Sequence, residues 1–298
     1  MPSWKPLILT RGLATKHYMK YHRLLFISIL FISQLFSAGV VQAQSNQQGF
    51  DIENDLLLVH FDCKTDVDDL HTVAGLVTLL SDRSFSKVKY HAVAGTYGIQ
   101  EGLYVPPNDL FQLAFENNWT DAHNDPTSAV ERVKAMVKST LFENGDVWIA
   151  EAGQSDFSAK VIKALQAEMQ ELDIAQRIHI VQHSNWNEEM TAPESLQFVK
   201  DIADYQKIPD GNEAGNGTPG FRSPGYTGWQ QQIKDTSLLE IWKLAVALGT
   251  QYNGKEGRYN NKAVESGGLD FSDLSEVCWI LGVADIADTE EFFSLYGK

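Results

Sequence analysis

The feature that most constrains this chain is a repeated alternation of short continuous apolar runs, polar turns and longer segments with apolar residues at helical spacing. Leu56-Leu57-Leu58-Val59-His60-Phe61 is too short for a stable helix and reads as a strand buried on both faces. After the turn Asp62 to Asp69, the residues Leu70, Val73, Ala74, Val77 and Leu80 recur with a helical period. The unit returns as a strand at Val88 to Val93 before Gly95-Thr96-Tyr97-Gly98 and a helix at Val130 to Phe142. It returns again as a strand at Val147 to Ala150 before Gly153-Gln154-Ser155-Asp156, a helix at Ser158 to Glu171, and a strand at Ile178 to Gln182 before His183-Ser184-Asn185-Trp186-Asn187. Such alternation predicts an α/β fold, with a mostly parallel central sheet and helices on both faces.

Residues 1–43 carry Lys5, Arg11, Lys16, Lys20 and Arg23 without any Asp or Glu, and contain the apolar run Leu24 to Val41 before small residues ending at Ala43. A basic region, an apolar region and a small-residue site form the pattern of a cleaved export signal, placing the mature protein outside the cell or in a periplasm. Met19 offers a start that gives a more usual signal length. The competing reading is an uncleaved anchor, because the run approaches the roughly 20 residues that span a bilayer. Ser28, Ser33, Gln34 and Ser37 interrupt it and favour cleavage, leaving no membrane partner for the mature chain. Residues 44–54 read as a disordered lead-in and residues 55–298 as one domain.

Removing residues 1–43 takes five of the 24 Lys and Arg and none of the 39 Asp and Glu, which leaves a net charge of −20. A surface that acidic disfavours nucleic acid and suits cations and neutral ligands. The only cysteines, Cys63 and Cys278, could pair once in an oxidising compartment, but both lie inside apolar runs, where buried free thiols are the plainer reading. Residues 209–229 are rich in Gly and Pro, a length and composition found in functional lids, over which Tyr226 and Trp229 would close.

The octet Asp62-Cys63-Lys64-Thr65-Asp66-Val67-Asp68-Asp69 sets four carboxylates on the turn leaving a buried strand, where open α/β sheets bind ligands. Carboxylates so close repel one another unless a hard cation sits among them, and Ca²⁺ takes six to eight oxygen ligands. The plainer reading is a solvated acidic loop whose Asp68 or Asp69 caps the next helix. An EF-hand needs Gly at its sixth place and Glu at its twelfth, where this sequence has Val67 and Val73. A phosphate-binding P-loop and a Gly-x-Ser-x-Gly nucleophile elbow are both absent.

The spacing of Asp62, Asp66, Asp68 and Asp69 after an apolar strand resembles the nucleoside hydrolases, and also their divergent sugar-binding relatives. Gly153-Gln154-Ser155-Asp156 and Phe271-Ser272-Asp273-Leu274 resemble two further segments of that family. The resemblance implies a Rossmann-like fold and a Ca²⁺ site made by Asp62, Asp69, Asp273 and the Ser155 carbonyl. It implies that Asp62 deprotonates a water, that Asp68 holds a ribose hydroxyl, and that Asn185, Asn187 and Glu188 contact the sugar. The substrate would be a small riboside or sugar, and family members assemble as dimers or tetramers, so a homo-oligomer is also implied. As a plainer alternative, Ser272 or Asp273 caps the helix that follows them.

Several positions depart from the family. His60 stands where many relatives have Asp, Thr96 where an Asn is usual, and Ser272 where some relatives have the His that protonates the leaving group. Lys64 adds a cation inside the acidic cluster, and His183 and His71 are the candidates to replace the missing acid, although a lone His is more often a satisfied polar residue. Two functions follow: an N-glycosidic hydrolase of ribonucleosides or related ribosides, or an exported calcium-assisted sugar-binding protein without turnover.

Overall fold

Strand β1 (Leu56–Phe61) is buried along its whole length and lies at the centre of a six-stranded sheet. The structure, a computed structural model, describes residues 49–298; residues 1–43, expected as an export signal, and residues 44–48 of the expected lead-in lie outside the described range. From β1 the chain continues through α1 (Asp68–Leu80), β2 (Lys89–Ala94), α2 (Asn108–Phe115), β3 (Trp119–Asp121), α3 (Pro126–Phe142), β4 (Val147–Ala152) and α4 (Asp156–Glu168). It then runs through β5 (Ile178–Gln182), α5 (Asn185–Met190), α6 (Pro193–Ile202) and β6 (Asp204–Lys207). The remainder holds β7 (Arg222–Ser223), α7 (Thr236–Tyr252), β8 (Leu269–Asp270), α8 (Ser275–Ile280) and α9 (Thr289–Tyr296).

The sheet order is β3-β2-β1-β4-β5-β6, and every pair is parallel. Leu57, Val59 and Phe61 join the core built with α1, α2, α7 and α9. Leu56 and Leu58 join a second core with α3, α4 and Val199 of α6. The period-two alternation of one strand thus feeds two apolar layers, which is why β1 is apolar almost throughout. The arrangement is a doubly wound, Rossmann-like α/β fold. Its strand order reverses between β1 and β4, the place where such sheets open a crevice at the carboxyl ends of the strands.

The observed elements differ from the expected ones where tertiary contacts decide. Helix α3 starts at Pro126 rather than Val130, because Pro suits the first helical turn and Asp125 accepts the Ser128 N–H at 3.1 Å. Strand β6 has the polar sequence Asp-Tyr-Gln-Lys and β3 has only three residues, so neither short edge strand has an apolar run to reveal it. Residues 49–54, expected as a disordered lead-in, instead carry a turn. Phe50 and Ile52 pack on the core, and the Asp51 N–H donates to Asp55 at 2.8 Å.

In the Gly/Pro stretch 209–229, Tyr226 and Trp229 pack inward rather than closing over a ligand. The Arg222–Ser223 segment of the stretch pairs antiparallel with Leu269–Asp270, and Trp229 is buried within 6.1 Å of the Trp242 ring centroid. Tyr226 stacks on Phe293 at 6.0 Å. Both aromatics therefore serve the core. Beside them, Phe271 stacks on Phe221 at 4.5 Å and meets Trp242 edge-on at 5.6 Å. This aromatic cluster fixes the turn that carries Asp270 and Asp273. Helix α7, which supplies Trp242, is capped by Asp235, whose carboxylate accepts the Ser237 and Leu238 N–H groups at 2.8 and 3.0 Å. Among the described residues no helix is long and apolar enough to cross a membrane. Cys63 and Cys278 are both free and buried.

Candidate functional site

A cleft of about 380 Å³ opens where β1 and β4 end. Asp62, Lys64, Thr65, Asp66 and Asp68 line it from the turn after β1, and Ala152 and Gly153 from the end of β4. His183, Trp186 and Asn187 come from the end of β5 and from α5, while Asp210, Asn212, Arg222, Tyr259 and Asp273 close the remaining sides. Gly153 permits the close approach of the two strand ends. Its φ is +154°, and a Cβ there would lie 2.8 Å from the Asp62 Cβ.

Asp62 is 9% exposed, with Oδ1 accepting the Lys64 N–H at 2.6 Å and Oδ2 accepting the amides of Gln154 and Gln100 at 3.0 and 3.2 Å. Burial first, and the charges of Asp273 and Asp66 after it, push its pKa up to about 7 against the lowering effect of the Lys64 N–H. Burial and Asp270 likewise raise Asp66 to about 7, although Asn261 donates to both of its oxygens at 3.2 Å. Asp68 is raised well above the usual carboxylate range by burial, then by Asp273 and Asp66. Asp69 is raised in the same way by burial, then by Asp62 and Asp273. One of its oxygens accepts the Cys63 N–H at 2.5 Å, and Oδ1 is buried with no hydrogen-bond partner among the described residues.

The capping alternatives are not realised. Val67, not an aspartate, occupies the cap position of α1 and makes no side-chain cap bond, and Asp68 Oδ1 accepts only the N–H of its neighbour Asp69, at 3.1 Å. Leu274 precedes α8 without a side-chain cap. Asp273 instead faces the cleft, with Oδ1 3.1 Å from His183 Nε2.

Burial opposes the charged form of His183, but Glu276, Asp273 and Asp210 around it raise its pKa to about 9. The Gly211 N–H points at Nδ1 from 2.9 Å and requires a lone pair there. That direct contact favours a neutral ring with its proton on Nε2, donated to Asp273. A Cβ on Gly211 would lie 2.6 Å from Nδ1, so this approach depends on glycine.

The structure sorts the expected sugar-contacting residues. Asn187 lines the cleft. Asn185 is exposed and accepts Lys207 Nζ at 2.5 Å, while Glu188 pairs with Lys200 and Lys207 at 2.7 and 2.6 Å, so neither lines the cleft. Ser155 is also outside its lining, and its carbonyl accepts the Ala159 N–H at 2.9 Å within the first turn of α4. Ala152 and Gly153 occupy the wall instead. His60 points away from the cleft toward Ser158 Oγ and Glu151, at 3.2 and 3.3 Å. Ser272 Oγ is bonded to Asp270 at 2.8 Å. His71 is buried and accepts the Asp270 N–H at 3.2 Å, with burial lowering its pKa to about 4, so of the two substitute histidines only His183 reaches the cleft.

Other contributors come from places without a motif. Asp270 accepts Ser272 Oγ, Asn261 Nδ2 at 2.8 Å and Arg222 Nε at 3.2 Å, holding the β7–β8 ribbon against the aspartate turn. Gln154 and Asp210 follow β4 and β6, so the rule that ligands meet strand carboxyl ends marks them. Arg222, Tyr259 and Asn261 carry no comparable signal.

The donors suit a hard cation in kind: oxygen only, mutually repelling, with one buried oxygen unpartnered. Among the described residues no three His, Cys, Asp or Glu side chains are already gathered into a metal-ligating group, so Asp62, Asp68, Asp69 and Asp273 would have to draw together around an ion. Compared with protein-family models, curated proteins and solved structures, the chain matches none of them.

Proposed function

We propose that this chain is a calcium-dependent hydrolase of the N-glycosidic bond of ribonucleosides or related ribosides, acting in the cleft between β1 and β4. The observation that carries the reading is the convergence of Asp62, Asp66, Asp68 and Asp273 on one cleft, with the unpartnered Asp69 oxygen among the same mutually repelling charges. Ca²⁺, held by Asp62, Asp69 and Asp273, would supply a positive centre for water and sugar hydroxyls. Asp62, steadied by Gln154, Gln100 and the Lys64 N–H, accepts a proton from the attacking water. The new C–O bond forms at the anomeric carbon as the C–N bond breaks, and the proton leaves with the nitrogen of the base. Asp68 and Asn187 orient the sugar hydroxyls, and holding sugar and water together supplies rate by proximity.

A second reading, a calcium-assisted sugar-binding protein without turnover, is favoured by one specific observation. Ser272, at the position of the family's leaving-group acid, is committed to Asp270. Calorimetric titration with Ca²⁺ and then ribose tests the part common to both readings. Ribose binding that needs calcium and is lost in Asp69→Ala supports them, and calcium-independent binding overturns the metal assignment.

A further inference from the structure

A second recess, of about 450 Å³, adjoins the cleft and shares Lys64 with it. Its walls are Tyr97, Leu103, Tyr104, His123 and Arg258. Tyr104 and His123 stack face to face at 3.8 Å with an interplanar angle of 5°, and Tyr97 Oη lies 3.1 Å from His123 Nδ1. Such edges suit a flat ring. The Tyr104 hydroxyl is buried and has no hydrogen-bond partner among the described residues.

The charges of the recess are unequal in availability. Arg258 is spent internally, on the Tyr104 carbonyl at 2.7 Å and on Glu256 at 2.9 Å. Lys64 is fixed at its backbone: its N–H donates to Asp62, its carbonyl accepts Gln100 Nε2 at 3.2 Å, and it bridges to Tyr104. Its ammonium lies 4.6 Å from the centre of the Tyr97 ring, and among the described residues no carboxylate is within ion-pair reach of it. In a chain of net charge −15, Lys64 thus sets an ammonium without an ion-pair partner among the described residues at the junction of the two cavities.

We infer that this recess is the subsite for the aglycone and that Lys64 selects ribosides whose planar aglycone bears a negative charge. The inference rests on the proposal that the adjoining cleft holds the ribose. The acidic cleft alone would repel such a ligand, so the preference depends on one ammonium.

The test uses pseudouridine and 1-carboxymethylpseudouridine, whose carbon-linked bases resist N-glycosidic cleavage. Dissociation constants are measured by calorimetry in calcium, beside free ribose. The expected result is a preference of about tenfold for the carboxylate, equivalent to about 1.4 kcal/mol, that shrinks at high salt. It should fall to about unity in Lys64→Met and persist in Lys64→Arg. Equal affinities for the two ribosides, with ribose still bound, would overturn the inference and leave the ribose reading intact. A preference that survives Lys64→Met would also overturn it. If neither riboside nor ribose binds, the ribose reading fails and the inference falls with it.

Discussion

Replacing Asp62 by Asn should stabilise the calcium-free protein at alkaline pH. A carboxyl whose pKa rises from 3.8 to about 7 on folding binds more protons folded than unfolded across that interval. Its stabilising contribution is complete below pH 3.8 and is lost as pH rises through about 7. The shift of roughly three units corresponds to about 4 kcal/mol by pH 8. Asn avoids that cost and keeps an oxygen for the Lys64 N–H, but its NH₂ faces the Gln154 and Gln100 amides that donate to Asp62 Oδ2. Rotation of those amides restores most of the bonding, at a cost of about 1 kcal/mol. The net gain is about 2 to 3 kcal/mol at pH 8, or a rise in Tm of roughly 4 to 12 °C for a domain of this size. Thermal unfolding in chelator at pH 4 and pH 8 measures it. The gain should vanish at pH 4, and added calcium should stabilise the parent protein more than the variant. A variant that is less stable than the parent at pH 8 would refute the idea that Asp62 is held in an unfavourable, repelled state.

Truncating Phe271 to Ala should cost about 3 to 5 kcal/mol in denaturant unfolding, because its ring is fully buried between Phe221 and Trp242; a loss below about 1 kcal/mol would show that the aspartate-bearing turn is anchored elsewhere. His91 is buried, with its pKa lowered to about 4 mainly by burial, so the folded state resists the proton that the unfolded state takes up. The His91 contribution to stability should therefore fall as pH drops from 6.5 to about 4, by up to about 3 kcal/mol, so the difference in unfolding free energy between the parent and His91→Gln should shift by that amount in favour of the variant across the interval. Asn187→Ala should weaken ribose binding about tenfold, whereas Asn185→Ala should change it less than about twofold, since only Asn187 reaches the cleft. Equal losses in titration calorimetry would contradict that assignment.

The strands and the acidic turn were legible because burial on both faces leaves a continuous apolar run, and β1, β4 and β5 have one. Edge strands β3 and β6 were not, since an edge needs no such run. The aspartates after β1 could be read as one group because they are neighbours in sequence. Asn185 and Glu188 looked equally suitable, but lysines at positions 200 and 207 hold them away, and nothing local reports those partners. Trp229 looked like part of a lid because it lies at the end of a Gly/Pro stretch; its burial depends on Trp242. Arg222 and Asn261 reach Asp270 only through the β7–β8 pairing and the fold of the distant loop, which no spacing rule encodes.

The central claim is turnover that depends on calcium and on the aspartate cluster. The most direct measurement is release of free ribose from a panel of purine and pyrimidine ribonucleosides by residues 44–298, in calcium and in chelator, beside Asp69→Ala. The account predicts release from at least one riboside that disappears with chelator and in the variant. No release from any riboside, or release unchanged by chelator and by Asp69→Ala, would contradict it.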